Sequence, residues 1–85
     1  MMFPKDKRIV DKNAIERIRS IGYCEYCGSR AGLQVHHIKS RGARGDDVDS
    51  NLVLLCYVCH GRAHEARISR EVLREIANRR TEAGA

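Results

Sequence analysis

Tryptophan is absent from this chain, and one phenylalanine and three tyrosines are the only aromatic residues of their class in 85 positions. Large rings therefore contribute little to any core. A chain of this length with so thin an apolar interior is marginal, and a single domain held by a staple is expected. No stretch reads as a signal peptide or a transmembrane run, so a setting off the membrane and in a reducing compartment is expected. No repeats, low-complexity tracts or Pro/Gly/Ser-rich linkers divide the sequence, and residues 1–85 are expected to form one unit. Acidic residues are in the minority, 11 against 16 Lys and Arg, with arginines spread from Arg8 to Arg80 and a formal charge of +5. That balance suits a polyanionic partner such as DNA or RNA, although a basic surface without a partner has the same composition.

What is plentiful is ligand chemistry. Four cysteines fall as two C-x-x-C pairs, Cys24/Cys27 and Cys56/Cys59, the spacing of a tetrathiolate zinc site. Each two-residue gap makes a tight knuckle or one helical turn, so both sulfurs of a pair reach one ion. Disulfides fit less well in a basic chain without a secretory signal. A thioredoxin-like redox role needs only one such pair and a surrounding βαβ pattern that is missing.

The coarse order is helix, knuckle, ββα, helix. Residues 11 to 21 carry Ala14, Ile18 and Ile21 on one helical face with Ile15 beside them. Asp11 or Asn13 can cap the start, and Gly22 suits the end. Cys24 to Cys27 form a knuckle closed by Gly28, Leu33 to Ile38 read as a strand, and Lys39 to Ser50 as a loop. Leu52 to Leu55 suit a second strand, and Tyr57 to about Arg67 a helix. Ser69 can cap a last helix with an apolar face of Val72, Leu73 and Ile76, Ile68 and Leu73 forming a hydrophobic staple.

His60 and His64, four apart, share one helical face and can approach one ion. Cys59 lies about 100° round the same helix from His60, so adjacent faces can serve two metals. Four cysteines saturate a tetrahedral zinc, which leaves the histidines for a second, open site. His36 and His37 on the preceding strand strengthen that reading but introduce a tension. Neighbours in a regular strand point to opposite faces, so either the backbone is irregular or terminal there, or one of the two is a buried structural histidine.

The composite pattern Cys24-x-x-Cys27, Leu33-x-Val35-His36-His37-Ile38, Asn51-Leu-Val-Leu-Leu-Cys56-x-x-Cys59-His60-x-x-x-His64 resembles the zinc-knuckle HNH endonucleases over residues 24 to 64. The resemblance implies a small α+β fold: a ββα-metal core with a four-Cys structural zinc site and flanking N- and C-terminal helices. It implies hydrolysis of DNA phosphodiesters with a divalent ion, Mg, Mn, Co, Ni or Zn, leaving 5′-phosphate and 3′-hydroxyl ends. By the same resemblance His37 is the general base, His36 and His60 hold the catalytic ion, and His64 is a further ligand. Asn51 matches the motif's central Asn, which in some members braces the loop and the catalytic histidine and in others touches the metal.

The sequence departs from the family where Lys39-Ser40 replaces a common Pro after the His-His-Ile run and Arg44-Gly45 replaces a Gly-Gly. Asp46, Asp47 and Asp49 share that loop; turn chemistry is the expected role, with a supplementary metal carboxylate as the alternative. Lys39, Arg41, Arg44, Arg62 and Arg67 are candidate phosphate contacts. No helix offers an array suited to reading base edges, Asn13, Arg17 and Arg19 on the first helix being the one weak candidate, so low sequence specificity is expected. The full expectation is a bacterial or phage-encoded cytoplasmic nuclease that nicks or cuts DNA as a monomer or homodimer. The alternative is the same zinc scaffold with an inactive site, a nucleic-acid-binding module.

Overall fold

The computed structural model describes residues 9–83; residues 1–8 and 84–85, Arg8 among them, lie outside the described residues. The elements are α1 (Lys12–Arg19), β1 (Gln34–His37), β2 (Leu52–Leu55), α2 (Tyr57–His64) and α3 (Arg70–Ala83), with short 3-10 turns at Arg41–Ala43 and Asp49–Asn51 inside the long loop. The chain is a small α+β protein, as its pattern of elements predicts.

Two antiparallel strands form the sheet, with Gln34 opposite Leu55, Val35 opposite Leu54, His36 opposite Val53 and His37 opposite Leu52. All four residues of β2 are buried, because the strand is covered on both faces. Leu52 and Leu54 pack with Ala14 and Ile18 of α1. Val53 and Leu55 pack with Cys24, Cys56, Cys59 and, from the C-terminal part, Ile68, Leu73 and Ala77. Burying a leucine stabilises by roughly 1.5–3 kcal/mol, so this short apolar run carries a large share of the available driving force.

The outer edge of β2 is covered by the first knuckle. Glu25 donates its backbone N–H to the Leu54 carbonyl at 2.8 Å, and its carboxylate accepts from the Leu54 N–H at 2.9 Å. The same carboxylate accepts from Arg80 of α3, whose other nitrogen donates to the carbonyls of Asp49 and Leu52. Arg80 thus ties helix, knuckle and strand into one body.

Helix boundaries follow from caps. Asp11, not Asn13, caps α1, its carboxylate accepting from the N–H groups of Asn13 and Ala14. Ser69 caps α3 by accepting from Val72 N–H. Two expectations need correction. First, α2 ends at His64 rather than near Arg67: Arg67 N–H returns to the Arg62 carbonyl and Ala66 N–H to Ala63, a Schellman turn with Ala66 at φ 61. No glycine announces that stop in the sequence. Secondly, Val72 faces solvent, and Ala77 takes the core position in its place. The buried stripe steps by four from Leu73 to Ala77 with Ile76 beside it, and Val72 lies one residue off that stripe.

A left-handed alanine is strained by about 1–2 kcal/mol relative to glycine. Ala66→Gly is therefore expected to stabilise the fold by about 1 kcal/mol, measured as a raised midpoint in thermal or urea unfolding.

Candidate functional site

The two knuckles bring their sulfurs together: the ligand atoms of Cys24, Cys27, Cys56 and Cys59 all lie within 4.8 Å of one another. The knuckles are built alike. Cys27 N–H points at Cys24 Sγ at 3.4 Å, and Cys59 N–H at Cys56 Sγ at 3.5 Å. None of the four is in a disulfide. Zn–S bonds of about 2.3 Å at tetrahedral angles separate sulfurs by about 3.8 Å, and Cys27 Sγ and Cys56 Sγ stand 3.7 Å apart. Burial opposes ionisation of Cys24, yet the N–H groups of Cys27, Cys56 and Tyr26 outweigh it and hold that thiol at about 7. Cys56 is lowered chiefly by the Cys59 N–H, whereas burial and then the neighbouring sulfurs push Cys59 up. Crowded sulfurs of this kind suit a thiophilic cation.

A second cluster forms from His36 on β1 with His60 and His64 on α2, again with ligand atoms within 4.8 Å. Ring centroids are separated by 5.1 Å for His36 and His60, 5.3 Å for His36 and His64, and 4.5 Å for His60 and His64. The Nε2 atoms of His60 and His64 face each other at 3.2 Å. Burial first, then proximity to His60, His64 and His37, pushes His36 down to about 4; burial and His64 lower His60. Neutral imidazole is the ligating form, so this trio suits a divalent cation, and the two clusters occupy neighbouring faces of one short helix.

His37 sits where the pleat sends it. Cross-strand partners share a face, so His36 opposite Val53 looks toward α2 while His37 opposite Leu52 looks the other way. Being the last residue of β1, His37 still lines the cavity of about 480 Å³ onto which His36, His60 and His64 open. Its Nε2 lies 2.7 Å from Asp47 Oδ1, with both side chains almost fully buried. The other Asp47 oxygen accepts from Asp11 N–H at 3.0 Å, and Asp47 N–H donates to the Ile9 carbonyl. Turn chemistry as the expected role of the loop carboxylates is thereby corrected: Asp47 engages His37, Asp46 accepts from Ile9 N–H, and Asp49 pairs with Arg17. None of the three belongs to the histidine cluster.

Asn51, buried, spends its amide on the loop. Its Oδ1 accepts from Lys39 N–H at 2.8 Å, and its Nδ2 donates to the carbonyls of Lys39 and Asp46 at 3.1 and 3.0 Å. Gly45 closes against the same peptide, since a Cβ there would stand 1.6 Å from the Lys39 oxygen, while Arg44 takes the left-handed position before it. The Arg44-Gly45 step therefore makes the sharp turn with one glycine instead of two.

Of the basic candidates, Arg41 lines the cavity, and Lys39, Arg44, Arg62 and Arg67 do not. Arg67 lies beyond α2 and pairs with Glu65. On α1, Arg17 pairs with Asp49 and Arg19 with Glu16. Sequence reasoning missed the pairing of Asp47 with His37, which no spacing encodes, and missed Arg70, which lines the cavity from the start of α3.

The lowered His36 value sets a pH dependence. An unfolded chain takes up the proton near 6.5, whereas the fold resists it until about 4. Between those values the unfolded state binds more protons, so stability present above about 6.5 is lost as pH falls. Wild type is expected to lose more thermal stability than His36→Gln between pH 6.5 and 5.5, with the cysteine contribution common to both.

Residues 24–66 match the model of the HNH endonuclease family. Over 64 residues, 65% of this chain and 23% of the relative, the sequence is 33% identical to the type IV methyl-directed restriction enzyme EcoKMcrA of Escherichia coli (strain K12). The chain thus spans less than a quarter of that relative's length. With the family match covering just over half of the residues and its strand–strand–helix frame carrying both clusters, the chain belongs to the HNH endonuclease family.

Proposed function

We propose that this chain is a divalent-metal-dependent endonuclease that hydrolyses DNA phosphodiesters with low sequence specificity. The observation that carries the reading is the convergence of His36, His60 and His64 on a cavity that His37 also lines, with His37 held by a buried carboxylate. The kinship with a restriction enzyme supports DNA as the substrate.

His36, His60 and His64 would hold the ion, and Cys24, Cys27, Cys56 and Cys59 a structural zinc. A divalent ion bound there supplies charge neutralisation at the phosphate and at the departing oxygen. The remaining work falls to the protein. Asp47 accepts from the Nε2–H of His37, which fixes the tautomer and leaves Nδ1 as the basic nitrogen. That nitrogen takes a proton from the water aligned with phosphorus. Asp47 then faces the imidazolium so formed and offsets its charge, the role a carboxylate plays behind a catalytic histidine elsewhere. Asn51 braces the loop that carries Asp47, with both amide hydrogens and its oxygen engaged by backbone partners. The four unpaired thiols suit a reducing, cytoplasmic setting in a bacterium or phage-infected cell. Among the described residues no helix is long and apolar enough to cross a membrane. One chain has one set of histidines, so a monomer would nick and a homodimer would cut both strands.

Supercoiled plasmid incubated with protein loaded with zinc at the thiol site is expected to be nicked or linearised only when a further divalent ion, Mg, Mn, Co, Ni or Zn, is added. His37→Ala should abolish cleavage with the fold and zinc content intact, at a thermal midpoint lowered by the loss of Asp47's buried partner. Asp47→Asn is expected to slow it by about 10- to 100-fold, the usual effect of losing a supporting partner. Binding without cleavage under every ion would replace the nuclease by an inactive nucleic-acid-binding module. Separately, chelating the thiol-bound metal is expected to abolish the cooperative unfolding transition; retention of a sharp transition in metal-free protein would refute the structural zinc.

A further inference from the structure

The residues around the histidine cavity come from two stretches of chain only. One wall is Val35 to Arg41, and the other runs from His60 to Leu73. Each wall carries one arginine: Arg41 on the 3-10 turn after β1, and Arg70 at the first position of α3. Among the described residues, five arginines elsewhere form ion pairs: Arg17 with Asp49, Arg19 with Glu16, Arg67 with Glu65, Arg79 with Glu75 and Arg80 with Glu25. Arg41 and Arg70 have no ion-pair or side-chain hydrogen-bond partner among the described residues, and both are exposed. Arg74, one turn along α3 from Arg70, is equally unpaired but does not line the cavity.

Arg70 also sits against its own helix. The first turn of an α-helix carries partial positive charge and favours anions, so a cation at the first position is unfavourable there. Ser69 already caps the helix, and Arg70 adds nothing to that cap. A guanidinium in such a place gains its partner only when an anion arrives between the walls. Among the described residues that line the cavity there is no acidic side chain.

We infer that Arg41 and Arg70 form a two-sided phosphate clamp, one from each wall, that grips the phosphodiester backbone of the strand being cut on either side of the linkage presented to His36, His37, His60 and His64. This rests on the nuclease reading and deepens it, assigning the substrate contact to one residue from each wall rather than to a diffuse basic surface. Planar guanidinium forks suit phosphate oxygens bidentately, and a contact to phosphate fixes the strand without reading its sequence. The cavity of about 480 Å³ lies between the walls that carry the two arginines.

The test compares wild type with Arg41→Ala, Arg70→Ala, Arg70→Lys and Arg74→Ala in the zinc-loaded chain. DNA affinity is measured against salt on a short labelled duplex, with single-turnover cleavage measured in parallel. Arg41→Ala and Arg70→Ala are each expected to reduce the slope of log affinity against log salt by about 0.9, the loss of one phosphate contact. Each should slow cleavage by about tenfold or more through misplacement of the strand. Arg70→Lys should recover part of the rate, because it restores the charge but not the fork. Arg74→Ala should match wild type in both readouts. The thermal midpoint of Arg70→Ala should be unchanged or raised, which a structural role for the side chain would not allow. Unchanged slopes in both cavity variants, an equal loss in Arg74→Ala, or absence of DNA binding by wild type would overturn the clamp. Slopes that fall as expected in a protein that never cleaves would retain the clamp and refute the nuclease; cleavage that ignores both arginines would do the reverse.

Discussion

An eight-residue helix has no standing of its own in water, yet His60 and His64 depend on one for their spacing. What holds α2 is its first turn. Cys56 caps the helix through its sulfur and, with Cys59, closes onto Cys24 and Cys27 of the preceding knuckle. That clasp fixes where the helix begins against the buried strand β2, and the Schellman turn at Ala66 fixes where it stops. Everything catalytic in the proposed site is placed relative to those two points. The thiol cluster is therefore both the staple of a small core and the ruler from which the histidine positions are set.

The pleat of β1 supplies the second geometric rule. Alternation sends His36 toward α2, where it meets His60 and His64, and sends His37 toward the long loop, where Asp47 waits. Adjacent residues thus reach different partners with no distortion of the strand, and the position of His37 at the strand's end lets its ring still border the shared cavity. The two rings also have different nearest partners. His36 is kept neutral by burial among imidazoles, while His37 faces a carboxylate. The proposed ligand and the proposed proton acceptor are thus distinguished by which side of a two-stranded sheet each one faces.

Much of this was legible in advance, for identifiable reasons. The two C-x-x-C pairs and the His60/His64 spacing are local: 3.6-residue periodicity and knuckle geometry bring those atoms together whatever the rest of the chain does. The helix starts at Asp11 and Ser69 are local for the same reason, since a cap is satisfied within three residues. The misses are all non-local or lack a signature residue. Ala66 ends α2 in a conformation usually given to glycine, so the sequence reads on to Arg67. Val72 looks as apolar as Leu73, and only docking against β2 selects which of them turns inward. Arg80 reads as a surface charge until the carbonyls of Asp49 and Leu52 and the Glu25 carboxylate are seen around it.

Asp47 and Arg70 mark the limit of what a pattern can say. Three aspartates in four positions of a loop are indistinguishable by composition, and only the path of residues 9–11 across the loop orients Asp47 toward His37 and leaves Asp46 and Asp49 to other partners. Arg70 is one of many arginines until the start of α3 is brought beside the end of β1. The sequence by itself determined the two C-x-x-C knuckles, the His60/His64 spacing, the caps and the alternation of the strands, because each is decided by contacts a few residues apart. Tertiary structure alone decided how the two knuckles meet and His36 reaches α2, which carboxylate holds His37 and which cations face the cavity, because those contacts depend on loop paths and element docking that no local periodicity encodes.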